Sequence, residues 1–80
     1  MATLRLFAAA REAAGTGQTE IDAATVGDVL EQAGQAYGPG FRAVLQSCRV
    51  WLNGEEAEPH MAVHAGDEVA VLPPVSGGST

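Results

Sequence analysis

Hydrophobic and polar residues alternate at both ends of the chain and follow a helical period between them. Residues 3–8 place Leu4 and Leu6 on one side and Thr3, Arg5 and Phe7 on the other, the pattern of a half-buried strand. Residues 8–14 are alanine-rich, carry Arg11 and Glu12, and run into Gly15, which predicts a short helix with a glycine stop. Residues 17–22 carry Thr19 and Ile21 and predict a second strand returning beside the first. Thr25 is a good N-cap and Asp28 a favourable first-turn charge. Val26, Val29, Leu30, Ala33 and Tyr37 then follow the i, i+3, i+4 spacing of the main amphipathic helix, which Gly34 weakens and Gly38-Pro39-Gly40 ends. Residues 41–46 predict a further helical turn offering Phe41, Val44 and Leu45 to the core. Arg49 to Leu52 reads as a strand, Asn53-Gly54 as a type I′ hairpin turn, and residues 55–58 as a short return arm. Residues 59–65 read as loop. After a turn at Ala65-Gly66-Asp67, Glu68 to Leu72 predicts the last strand, with Val69 and Val71 inward and Ala70 and Leu72 outward.

One main helix across a mixed sheet of four to five strands is an α+β roll. A first hairpin, a single long helix and a late edge arm point to the β-grasp, or ubiquitin-like, arrangement. Eighty residues suit one domain, expected over 1–72, followed by a tail over 73–80. At 46% hydrophobic residues the chain can fill a small core, built from Ala, Val and Leu more than from aromatics. The charge of −6 comes from ten acidic groups against Arg5, Arg11, Arg42 and Arg49, with no lysine. There is no basic patch for nucleic acid or for a membrane surface. An acidic surface suits docking onto a basic protein partner instead. A single cysteine excludes an internal disulfide framework. Neither a signal peptide nor a membrane-length apolar run is evident, so the expected location is cytoplasmic.

The segment that follows the last strand has a different character. Pro73 and Pro74 lack backbone N–H groups and fix φ, so the sheet ladder must stop and the chain must run on extended. Gly77 and Gly78 add no side chains. A thin end held off the body by a stiff diproline suits entry into a narrow channel; read alone, it is sooner the loose end of a domain or an added Ser-Gly-Gly-Ser-Thr extension, and the rest of the chain shifts that balance.

Four pieces of the sequence are similar to the MoaD/ThiS family of ubiquitin-like sulfur carriers, and within it to the small subunits of molybdopterin synthase. They are Phe7-Ala8-Ala9-Ala10-Arg11-Glu12, Thr25-Val26-Gly27-Asp28-Val29-Leu30, Val50-Trp51-Leu52-Asn53-Gly54-Glu55, and the run from Gly66 to Gly78. They span nearly the whole chain in order. The most specific is the ending Pro73-Pro74-Val75-Ser76-Gly77-Gly78, because thiamine-pathway carriers usually lack the diproline. The resemblance implies chemistry on the backbone. An ATP-dependent, ubiquitin-activating-type enzyme adenylates the terminal glycine carboxylate, sulfur transfer makes a thiocarboxylate, and the tail enters the large synthase subunit to give sulfur to a pyranopterin precursor. By this resemblance Gly78 bears the thiocarboxylate and Gly77 slims the approach. Phe7, Arg11 and Leu72, with Pro73, Pro74, Val75 and Ser76, meet the partner enzymes. The chain itself would be a non-catalytic subunit and sulfur donor, binding no cofactor or metal, with ATP used by the activating partner. Alternatives are sulfur donation to thiamine, cysteine or tRNA thiolation, or a non-catalytic ubiquitin-like binding module.

Members of this type end at the second glycine, whereas Ser79 and Thr80 follow Gly78 here. A trimming protease, an added extension or an inactive copy would each account for them; the intact tail before them favours the first two. Other reactive residue types read as structural. Cys48 lacks a Cys-x-x-Cys partner. His60 and His64 sit four apart, but beside Pro59 in a loop and without a third ligand. Glu55, Glu56 and Glu58 read as a solvated hairpin face. Trp51, on the sheet face opposite Val50 and Leu52, is a secondary interface candidate.

Overall fold

Leu4 and Leu6 sit at the centre of a five-stranded sheet, fully buried against helices on one side. The computed structural model describes residues 1–74. In chain order its elements are β1 (Ala2–Leu6), α1 (Ala8–Ala14), β2 (Gln18–Ile21), α2 (Val26–Tyr37), α3 (Pro39–Leu45), β3 (Arg49–Leu52), β4 (Glu55–Glu56) and β5 (Glu68–Leu72). The strands lie in the order β2-β1-β5-β3-β4. β1 and β5 are parallel, with Leu4 beside Val69 and Leu6 beside Val71; the other pairs are antiparallel. This is the expected α+β, β-grasp architecture. No helix among the described residues is long and apolar enough to cross a membrane.

Period-2 alternation puts Leu4, Leu6, Val69 and Val71 on the helix-covered face, where α2 adds Val26, Val29 and Ala33. Thr25 caps α2 by accepting a hydrogen bond from the Asp28 backbone N–H at 3.1 Å. Phe41 is fully buried and meets Tyr37 edge to face, ring centroids 5.2 Å apart. It reaches the core because the helical segment begins earlier than the sequence pattern indicates. Pro39 does not extend the break after α2. It opens α3 at the first-turn position, where a missing N–H costs nothing.

Gly34 also has a different role from the one its helix propensity predicts. It is buried, and a Cβ there would lie 2.9 Å from the Arg42 guanidinium carbon. The glycine is the notch that lets α3 cross α2. Arg42 then reaches Glu31 at 3.3 Å and holds that carboxyl below its ordinary range, first through the hydrogen bond and then through charge.

The Asn53-Gly54 turn has φ of +52° and +88°, both left-handed as a type I′ turn requires. Its return arm β4 is only two residues long, shorter than the expected 55–58. The Asn53 side chain does more than turn the chain. It donates to Asp67 Oδ1 at 3.1 Å and accepts from the Glu68 N–H at 2.9 Å. Asp67 Oδ2 accepts from the His64 N–H at 2.8 Å. The hairpin tip and the start of β5 are thus tied together, and these hydrogen bonds hold the Asp67 carboxyl below its ordinary value.

Candidate functional site

The face of the sheet turned away from the helices carries the other half of the alternation. Register puts Arg5, Ala70, Trp51 and Glu56 in one row across β1, β5, β3 and β4, and Leu72 opposite Arg49 in the next. Phe7 follows β1 directly. It leaves the strand as the N-cap of α1, in an extended conformation, and its N–H donates to the Val71 carbonyl at 3.2 Å. The ring is 36% exposed, the second most exposed large hydrophobic among the described residues after Met1. Leu72, Ala70 and Trp51 are half-buried on the same face. Phe7 and Leu72 thus emerge from neighbouring strands at the same end of the sheet, as the alternation predicts. Pro73 and Pro74 follow Leu72 and are exposed.

The backbone between Phe7 and α1 is unusual. Ala8 has φ of +53°, a left-handed conformation that L-residues with a Cβ seldom adopt. This single residue turns the chain from the strand into the helix while Phe7 stays outward.

Two arginines frame the apolar face. Arg5 lies with its guanidinium carbon 5.7 Å from the Phe7 ring centroid, and its Nη1 is 3.2 Å from Glu68 Oε2. Arg49 pairs with Glu56. Surface pairs of this kind stabilise little, but they orient two cations beside the ring and the leucine. A chain with a charge of −6 therefore sets half of its four positive groups on this one face. Sequence reading passed over Arg5 and Arg49. Their signal was available: both share strand parity with Phe7 and Leu72.

Arg11 lies on the exposed side of α1, with its side chain folded over Gly17 at the entry to β2, where a Cβ would meet it at 3.2 Å. It is not part of the row that joins Arg5 to Trp51. Val75, Ser76, Gly77 and Gly78 lie outside the described residues, as do Ser79 and Thr80.

Among the described residues the remaining reactive side chains do not converge. Burial pushes the Cys48 thiol up, away from the thiolate a nucleophile needs. His60 turns to Glu58 and His64 to Asp67, each at 3.6 Å, so the two imidazoles serve separate carboxylates. Among the described residues no three His, Cys, Asp or Glu side chains gather as a metal site. Among the described residues the geometry offers a partly exposed apolar face, flanked by two arginines, with Pro73 and Pro74 following Leu72 beside it.

Comparison with known proteins places the chain in a family. A family model described as the ThiS family matches residues 4–78. The molybdopterin synthase sulfur carrier subunit of Chlamydomonas reinhardtii is 39% identical over 77 residues, covering 90% of this chain and 92% of its own. Small archaeal modifier protein 1 of Haloferax volcanii is 38% identical over 85 residues, covering 92% of this chain and 97% of its own. A crystal structure of that modifier superposes with a TM-score of 0.83, at 36% identity, over 96% of this chain and 98% of its own. A Helicobacter pylori chain, solved in a complex of subunits 1 and 2 of molybdopterin-converting factor, superposes with a TM-score of 0.73. It covers 96% of this chain and 97% of its own, but at 22% identity the likeness is one of fold.

Proposed function

The chain belongs to the ThiS family of ubiquitin-like sulfur carriers, and on that premise we propose that it is the small, sulfur-donating subunit of a molybdopterin synthase. The observation that carries this reading is the 39% identity, over nine-tenths of the chain, to a carrier subunit of that enzyme.

The chemistry proceeds at Gly78. Its carbonyl is followed by Ser79 and Thr80 in this sequence, so the reactive form is the chain that ends at Gly78, reached by hydrolysis of that peptide bond where the two residues are present. A carboxylate is a poor acyl donor because its oxygen is a poor leaving group. Attack of the carboxylate on the α-phosphate of ATP, at an ubiquitin-activating-type partner, gives an acyl adenylate and releases pyrophosphate. Sulfide equivalents then attack the carbonyl and expel AMP, leaving a thiocarboxylate. Within the synthase the thiocarboxylate sulfur bonds to a carbon of the pyranopterin precursor, and water then cleaves the acyl–sulfur bond, leaving the sulfur on the precursor and restoring the Gly78 carboxylate. Gly77 adds no side chain to the approach, and Val75 and Ser76 meet the partner.

The fold supports a division of labour. β5 runs parallel to β1 and ends at Leu72, so Pro73 leaves at the end of the sheet where Phe7 stands. A partner that grips Phe7, Leu72 and the two arginines would hold the chain end at a fixed entry point, while Gly78 travels into a buried site. Arg11 extends the same contact from α1.

A second reading rests on the Haloferax volcanii relative, whose name is that of a modifier protein. In it the activated Gly78 carbonyl passes to an amine of another protein. The two readings separate in one assay. The chain ending at Gly78 is combined with a molybdopterin synthase large subunit, its activating enzyme, ATP, a sulfide source and the pyranopterin precursor. Formation of the dithiolene product, abolished by deleting Gly77 and Gly78, is the expected result. Amide-linked adducts without dithiolene would transfer the assignment to the modifier reading.

A further inference from the structure

β2 is an edge strand, and the hydrogen-bond pattern fixes which of its backbone groups face outward. The Leu6 N–H donates to the Gly17 carbonyl at 2.9 Å, and the register runs Leu4 to Thr19 and Ala2 to Ile21. Antiparallel pairs alternate between bonded and non-bonded, so Thr19 and Ile21 bond to β1, while Gln18 and Glu20 turn their N–H and C=O away. β1 agrees with this: the Thr3 N–H, opposite Glu20, is spent on the Asp67 carbonyl on its other side.

The outward edge is closed at both ends. Thr16 Oγ1 accepts from the Gln18 N–H at 3.4 Å and donates to the Gln18 carbonyl at 3.1 Å. Gln32 Nε2 donates to the Asp22 carbonyl at 2.8 Å. Between these closures the Glu20 N–H and C=O meet no partner among the described residues. Beside them, between β2 and the second half of α2, lies a cleft of about 330 Å³ whose apolar walls include Ile21, Ala33, Ala36 and Tyr37. Its rim carries the exposed Glu20 and Asp22, and no basic side chain lines it.

We infer that this edge and cleft form a second docking site, for an extended segment of a partner protein that bears basic side chains and alternates them with apolar ones. The segment adds as a sixth strand on Glu20. One apolar side chain enters the cleft and its neighbours meet Glu20 and Asp22. Alternation in the ligand follows from the period of a strand, since only every second side chain can face α2. A second copy of this chain is the poorer occupant, because it would bring its own Glu20 and Asp22 against these, between bodies each carrying −6. The site lies at the sheet edge opposite β4, with β1 between it and β5, so it is separate from the face and tail used in sulfur donation. The inference stands whether or not Gly78 is the acyl donor.

The probe is an acetylated, amidated peptide of alternating lysine and valine, titrated into the full chain labelled with nitrogen-15. The expected result is saturable shift changes at Gln18 to Asp22, Ala33, Ala36 and Tyr37, with slowed exchange of the Glu20 amide hydrogen. Binding weakens by about tenfold when Glu20 and Asp22 are both replaced by lysine. Glu20→Pro removes the outward donor without breaking a bond to β1, and is expected to abolish binding. Should that variant fail to fold, the same peptide N-methylated at every second residue reads the same contact from the other side, and one of its two registers is expected not to bind. Shifts confined to the Phe7 and Leu72 face, binding unaffected by N-methylation, or no saturable binding would overturn the inference. So would concentration-dependent dimerisation through β2 in sedimentation, which would make the occupant a second copy.

Discussion

The two faces of the central sheet are made by the same strands and do opposite work. In β1 and β5 the inward residues Leu4, Leu6, Val69 and Val71 are no more than 2% exposed. One residue away on the same strands, Arg5, Ala70 and Leu72 face outward, with Phe7 at the end of the row. A one-residue shift in register would exchange the two sets, so alternation is what separates the part that folds the chain from the part proposed to meet a partner. The inward set is held by packing in every direction. The outward set is held on one side only, and its apolar area stays available for burial on docking.

That contrast is sharpest under truncation. Leu4→Ala is expected to cost about 2–5 kcal/mol, because the surrounding strands and α2 cannot collapse into the space. For a domain whose total stability is on the order of 5–15 kcal/mol, urea unfolding should shift far to lower concentration. Phe7→Ala and Leu72→Ala are expected to change stability by less than about 1 kcal/mol each and to weaken binding to the activating enzyme or the large subunit by about thirtyfold. Calorimetric titration beside urea unfolding separates the two. If the outward variants unfold as readily as Leu4→Ala while retaining affinity, the division between the faces does not hold.

A smaller effect tests the joint between the faces. Ala8 is held at positive φ, where its Cβ is unfavourable. Ala8→Gly should therefore raise stability by about 1 kcal/mol and leave Phe7 in place. A loss of stability would mean that neighbouring contacts of the Ala8 methyl outweigh the backbone strain.

The smallest effect concerns the clamp at the other end of β5. Asp67 is held below its ordinary value in the folded chain, chiefly by the His64 N–H and then by Asn53. The unfolded chain therefore takes up the proton first. The clamp's contribution is fully present above about pH 4, and is lost as pH falls through the lowered folded value. Urea unfolding between neutral and strongly acid pH should show a shallower acid limb for Asp67→Asn than for the parent chain. Parallel limbs would remove Asp67 from the account.

Much of this fold was legible in the sequence because its signals are local. The alternation of 3–8 and of Glu68 to Leu72, the Thr25 cap, the α2 period and the Asn53-Gly54 turn each depend on residues a few positions apart. Gly15 is an equally local stop and has φ of +80°. What was not legible depends on neighbours distant in sequence. Gly34 reads as a weak helical residue until Arg42 from α3 is laid against it. Pro39 reads as a terminator until Phe41 needs a helix to carry it into the core. Asn53 reads as a turn residue until Asp67 arrives from the start of β5. The same limit applied to the docking face. Phe7 and Leu72 were found by parity and by family resemblance; Arg5 and Arg49 share that parity, but only the strand pairing sets Arg49 opposite Leu72. The ending from Pro73 to Gly78 carries the most specific sequence signal, and it lies mostly outside the described residues.

The most direct test of the central claim, that Gly78 is the acyl group that carries sulfur, is the intact mass of the chain. It should be measured on protein recovered from its native host and on recombinant protein incubated with its activating enzyme, ATP and a sulfide source. The account predicts loss of Ser79 and Thr80 and replacement of one oxygen by sulfur, located at Gly78 by fragmentation. A chain that keeps both residues and gains no sulfur under either condition, or that gains it on Thr80, would contradict it.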